Sequence, residues 1–366
     1  MASELVELVS ALVAIDSVNP ELVPGAAGEG EIARFVARRL ADGGLEVEAE
    51  EVAPGRHNVV GIARGTGGGR TLLLNAHMDT VGVVGMERPF EPVVADGRLR
   101  GRGAYDMKAA LAAIMAAGIA AARSGLRGDV LVAAVCDEEA ASIGTARVAE
   151  RYRADAAIVA EPTELRLALA HKGFVGFEIE TRGRAAHGSR PDLGVDAIAR
   201  MGHVLVRLEA LDGRLRASPT HPLLGSGSLH ASIVEGGQEF SSYPERCLLK
   251  GERRTIPGES VDLVEGELAE LVGEVDGEAR VVLAREPFET APDAGIARLV
   301  ARHAGDPEVV GVPFWADSAL LAAAGIPTVV LGPAGEGAHA VEEWVDLASV
   351  ERCAGIYTEV AREFCA

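Results

Sequence analysis

Five short segments of this 366-residue chain place imidazole or carboxylate groups where chemistry is commonly done. In NAHMDTV an apolar run ends in His77 and Asp79. Residues two apart on a strand point the same way, so the ring can ligate a metal while the carboxylate holds its other nitrogen. A solvent-facing histidine beside a capping aspartate has the same pattern. In GRGAYDMKAA, Asp106 opens a long helical stretch, a place where aspartate also serves as a plain N-cap. CDEEAASIG sets Glu138 and Glu139 side by side after another apolar run. Such a pair is costly unless cations stand nearby; one carboxylate can then ligate while the other shuttles a proton. The alternative is a solvated acidic turn. AEPTE ends a further apolar run in Glu161, and GPAGEGAHAVEEWV holds His339 in a Gly-rich loop.

Taken together, His77, Asp106, Glu139, Glu161 and His339 offer only nitrogen and oxygen donors, all at strand ends or in the loops just after them. A thiolate-free set fits a hydrolytic zinc-type site better than a structural one. The positive charge of two divalent ions is balanced by the three carboxylates of the set together with one hydroxide.

The elements that must position these donors follow from periodicity. Helical spacing of Leu5, Leu8, Leu12 and Ile15 opens the chain, and a second helix around Ile32–Leu40 stops at Gly43 and Gly44. Strand-like runs follow at 46–52, 58–63 and 71–75, then an Ala-rich helix over 107–124, the strand DVLVAAV, a short helix and the strand AAIVA. This alternation predicts an α/β fold with a mixed, mostly parallel sheet and flanking helices. Open sheets of that kind carry their sites at the carboxyl ends of strands, where His77, Glu139 and Glu161 fall.

After Lys172 the texture changes to half-exposed strands. Phe174–Thr181 alternates, a helix over 195–211 follows, then strands at 228–234 and 246–252, a helix over 261–272 and a strand at 279–283. This β-α-β-β-α-β order predicts a ferredoxin-like α+β unit, 173–286, inserted into a domain made of 1–172 and 287–366. The strand PTVVLGP and a closing helix over 347–364 complete the outer domain.

A formal net charge of −20 argues against nucleic acid and anionic membranes as partners. Cys136, Cys247, Cys353 and Cys365 have no CxxC spacing and read as reduced thiols of a cytoplasmic protein. The N-terminal segment lacks a basic start and reads as an amphipathic helix rather than a signal peptide, and no apolar run suggests a membrane span.

These motifs resemble the M20 metallopeptidase family of acetylornithine deacetylase, succinyl-diaminopimelate desuccinylase and glutamate-releasing carboxypeptidase. The resemblance runs from SVNP through HMDTV, GRGAYDMKAALAA, the Glu-Glu pair, AEPTE, AAHGSRPDLGVDAI, ERRTIPGE and GIPTVVLGP to GAHAVEEWV. It implies that Asp106 bridges two divalent ions, with His77 and Glu161 completing one site and Glu139 and His339 the other. The ions are expected to be Zn2+, with Co2+ or Mn2+ as alternatives. By the same resemblance Asp79 orients His77, Glu138 is the general base, and His187 of the RAAHGSRP segment stabilises the oxyanion, reaching a partner subunit's site. Arg254 holds a substrate carboxylate, and the inserted domain forms a lid and a homodimer contact.

The implied activity is metal-assisted hydrolysis of an amide bond in a small N-acyl amino acid. A dipeptidase or carboxypeptidase of the same family is the alternative, and a non-catalytic binding protein on this fold the rival from another class. Ser241 in SSYP and the bulky Phe314 and Trp315 before Asp317 depart from the family pattern on substrate-recognition surfaces. Glu161, where dipeptidase branches tend to carry aspartate, tilts the reading towards deacylases and carboxypeptidases. His57, His171, His203, His221, His230 and His303 are assigned no chemistry.

Overall fold

Three apolar runs, Leu72–His77, Val130–Val135 and Ala156–Val159, are buried on both faces, as strands covered by helices on either side must be. In the computed structural model, which describes residues 2–366, they form the middle of a sheet. Its path runs Glu46–Ala53, Arg56–Ala63, Val130–Val135, Leu72–His77, Ala156–Val159, Thr328–Val330, Leu167–His171 and Phe288–Glu289, with Val309–Val312 paired to Leu167–His171 off that path. The four central strands pair in parallel, and the flanking pairs are antiparallel. The mixed, mostly parallel α/β sheet predicted from alternation is therefore present.

Helix Ala109–Ala122 is built almost wholly of small apolar residues and lies flush on this sheet. Its Gly118 has no room for a Cβ against Val132. The helix begins later than periodicity predicts, because Ala104–Lys108 forms a wide π-type turn with non-helical backbone at Asp106 and Met107. By length and composition alone, turn and helix together give one segment, Ala104–Ala122, that is apolar enough to cross a membrane. Most of it is buried inside the protein, as a core helix is. The closing helix Leu347–Phe364 packs its Val350, Cys353, Ile356, Tyr357 and Val360 inward.

The chain divides into two compact units. One runs up to Leu169 and takes in Thr290–Val310 and Ala316–Ala366; the other is Ala170–Glu289 with Gly311–Trp315. In the second unit the antiparallel strand order is Ser228–Gly236, Arg246–Thr255, Gly173–Arg182, Gly277–Arg285. Helices Ala197–Ala217 and Val261–Val272 supply Met201, Val204, Leu208 and Leu268 to a core shared with Phe177, Ile179 and Leu249. This is the ferredoxin-like arrangement. The first of these helices runs past the predicted end at 211, and its start is capped by Asp196, whose carboxylate accepts the Ala199 N–H. All four cysteines are buried free thiols.

Candidate metal centre

His77 is the last residue of its strand and is almost fully buried. Its Nδ1 lies 2.9 Å from the main-chain carbonyl oxygen of Asp79. A carbonyl can only accept, so Nδ1 carries a proton, and Nε2 is the nitrogen turned to the site. The Asp79 carboxylate, expected to orient this ring, stands farther off, with Oδ1 at 3.7 Å from Nδ1. Its oxygens are committed elsewhere: Oδ1 accepts the Glu138 N–H at 3.1 Å, and Oδ2 accepts the Glu139 N–H at 3.2 Å and the Asn19 amide at 2.8 Å.

Asp106 is not a helix cap. The helix N-cap position is Lys108, and Asp106 sits in the preceding turn with its carboxylate turned to two histidines. Its Oδ1 is 3.1 Å from His77 Nε2, and its Oδ2 is 3.4 Å from His339 Nε2. The same Nε2 atoms each face a second carboxylate, Glu161 Oε1 at 3.8 Å from His77 and Glu139 Oε2 at 3.0 Å from His339. Two donor groups follow: His77, Glu138 and Glu161, and His77, Asp106 and Glu139, each with its donor atoms within 4.8 Å of one another. None of the six histidines left without a role belongs to either group.

The electrostatics of the cluster suit cations. Burial, together with the neighbouring Glu161 charge, pushes Glu138 well above the usual carboxylate range. Burial also raises Glu161 and Glu139. Asp106 moves the other way, because hydrogen bonds from His339 and His77 outweigh its desolvation. His339 is pushed up to about 10 by its bonds to Asp106 and Glu139. Oε1 of Glu139 is buried with no hydrogen-bond partner. A buried, unpartnered carboxylate oxygen in a cluster of nitrogen and oxygen donors is what a divalent ion would satisfy, so these residues fit a two-metal site.

His339 adopts left-handed backbone, φ 62°, uncommon for a residue with a Cβ, and its side chain is 56% exposed. At the end of strand Thr328–Val330, Gly332 lies against the Glu161 main chain too closely for any side chain.

His187 and Arg254 belong to the second unit, outside this cluster. His187 is exposed, with Nδ1 2.9 Å from Ser189 Oγ. Arg254 donates to Glu252 at 2.6 Å, and its guanidinium lies 5.2 Å from the Phe174 ring centre. The adjacent Arg253 is fully buried between Glu259 and Glu267 and serves the unit's own packing.

Several further residues, not assigned to the cluster from sequence, support it. Asn19, in SVNP, bridges Asp79 and Asp137 through one amide nitrogen, at 2.8 and 3.1 Å. Asp137 itself pairs with Arg56, which is held by Glu29, all three buried. Asp317 is buried and accepts from Thr145 Oγ1 at 2.6 Å, with its other oxygen unpartnered. Burial pushes its carboxyl up to about 7. Asn19 and Asp317 stand in motifs visible in the sequence; Glu29 and Arg56 have no local signature.

Residues 73–363 match the model of peptidase family M20/M25/M40. The chain is 31% identical to an acetylornithine deacetylase of Myxococcus xanthus, over 97% of this chain and 96% of that protein. Among solved structures it is similar to the aminopeptidase PepT of Bacillus cereus, with a TM-score of 0.81 at 21% identity, covering 100% and 99% of the two chains. It is also similar to the YXEP protein of Bacillus subtilis, described as a dinuclear metal binding peptidase, with a TM-score of 0.75 at 16% identity, covering 100% and 98%.

Proposed function

Since this chain belongs to peptidase family M20/M25/M40, a family of metal-dependent amidohydrolases, we propose that it removes the acyl group from a small N-acyl amino acid, as an acetylornithine deacetylase does. The observation that carries this reading is the Asp106 carboxylate, whose two oxygens face the Nε2 atoms of two different histidines, each with a different glutamate beside the same nitrogen. In this assignment two divalent ions would share Asp106, one being held also by His77 and Glu161 and the other by Glu139 and His339. Zn2+ is the first choice, with Co2+ or Mn2+ as alternatives. Such ions would supply Lewis acidity to the scissile carbonyl and to a water near neutral pH.

The chain's own residues do the rest. Glu138 takes a proton from the attacking water on a carboxylate oxygen and delivers it to the departing nitrogen. Asp79 holds the main chain that presents it. His187 donates to the developing oxyanion, and Arg254 receives the substrate carboxylate.

The enzyme acts on a small-molecule substrate in the cytoplasm, a reading supported by its four free thiols. It is a homodimer through the second unit. Support comes from strand Ser228–Gly236, an uncovered sheet edge on which Ile233 and Val234 are about half exposed. A peptidase reading is less favoured: the relatives matched over nearly the full chain are acetylornithine deacetylases, and the similar structures named as peptidases are 21% identical or less, which bears on fold alone.

The test is a substrate panel of N-acetyl amino acids, N-succinyl substrates and dipeptides, run on chelator-stripped protein reloaded with Zn2+, Co2+ or Mn2+. Preference for N-acetyl amino acids supports the reading; turnover of dipeptides alone overturns it.

A further inference from the structure

Glu343 lies four residues beyond His339, and its side chain is completely buried. Its two oxygens accept from the turn that carries Asp106. Oε2 receives the Gly103 N–H at 3.0 Å, and Oε1 receives those of Tyr105 at 2.8 Å and Asp106 at 3.1 Å. The guanidinium of Arg102, itself buried, donates to Oε2 at 2.7 Å. Arg102 also reaches the Ala340 carbonyl at 2.9 Å, and the Gly101 N–H reaches the Glu343 carbonyl at 3.2 Å. One carboxylate therefore clasps two ligand-bearing loops that lie 237 residues apart.

The two histidines depend on this clasp unequally. His77 is 1% exposed at the end of a central strand, and the sheet holds it. His339 is on an open loop in a backbone conformation that ordinary residues avoid, with little packing of its own.

We infer that Glu343 is a positioning residue that sets the His339 loop against Asp106, and so governs the ion held by Glu139 and His339 more than the one held by His77 and Glu161. The inference rests on the two-ion reading above. Glu343→Gln keeps the shape but removes the charge and turns an amide NH2 towards backbone N–H groups. The buried donors that meet the amide nitrogen lose their acceptor while the other pair keeps one, and the loop loses its fixed distance. Glu343→Asp keeps the charge on a shorter arm and restores part of the effect.

The experiment is calorimetric titration of chelator-stripped protein with Zn2+, alongside the melting temperature of the metal-free state. In Glu343→Gln the stronger binding step stays within about threefold of the parent, and the weaker one drops about 10–100-fold, the size expected for a residue that supports a ligand from behind. Should that variant not fold, the double variant Arg102→Met with Glu343→Gln removes both buried charges at similar volume and carries the same test. Equal weakening of both steps, or a lower melting temperature with both steps unchanged, makes Glu343 merely structural and overturns the inference. A parent protein that takes up fewer than two ions defeats the two-ion reading and this inference with it. Two ions in the parent with equal weakening in the variant defeats the inference alone.

Discussion

The carboxylate of Asp79 accepts the backbone N–H of Glu138 at 3.1 Å, and through its second oxygen that of Glu139 at 3.2 Å. An acid at the end of one strand thus grips the turn at the end of its neighbour, which carries both the proposed base and a proposed ligand. Asn19, buried beneath it, ties the same carboxylate to Asp137.

Asp79→Asn should therefore act through the turn. The amide nitrogen faces an N–H it cannot accept from, which leaves a buried donor unsatisfied at about 1–3 kcal/mol. We expect a stability loss of that size in urea unfolding and a fall in kcat of more than tenfold. A variant with parental kcat would remove Asp79 from the machinery.

Glu138→Gln should retain two ions per chain by elemental analysis and lose about 10²–10⁴-fold in turnover, the usual worth of a positioned proton acceptor. Substantial residual turnover refutes its role as base.

Chelation should abolish activity, and added Zn2+, Co2+ or Mn2+ should restore it. Because an ion that binds only the folded state stabilises it, the stripped protein should also melt at a lower temperature. Asp106→Asn should weaken uptake of both ions, whereas His339→Ala should weaken one. Loss of a single ion in the Asp106 variant contradicts the bridging assignment.

Asp317 gives a pH signature in the metal-free protein. Burial raises its folded-state pKa from 3.8 to about 7, so the native state binds this proton more tightly than the unfolded chain does. The resulting stabilisation is full below about pH 4 and is lost as the pH rises from there through 7, at about 1.4 kcal/mol per pH unit. Asp317→Asn should therefore lose less stability than the parent between pH 5 and pH 8 in chelator. Parallel losses in the two proteins count against a buried, protonated Asp317.

His187→Ala should cut turnover while ion content holds steady. Mixing it with the Glu138→Gln protein under subunit exchange should regain part of the activity if each site borrows His187 from its partner. No regain at any ratio argues that His187 serves its own chain.

The sequence by itself determined the fold class and the chemical types of the donors. Both are written locally: apolar runs such as VLVAAV make central strands whatever lies elsewhere, and the helix over 347–364 is legible from its own periodicity. His77, Glu139, Glu161 and His339 were visible for the same reason, since each ends or follows an apolar run or lies in a Gly-rich loop. Tertiary structure alone decided what those groups touch. Asp79 accepts the Glu138 N–H across 59 residues of chain, and Glu343 reaches the Asp106 turn across 237. Asp106 is no N-cap, because the helix begins after it and its oxygens have histidines to face. A hydrogen bond is fixed by distance and direction in space, and no residue's neighbours along the chain encode which distant main-chain N–H will come within 3 Å of it.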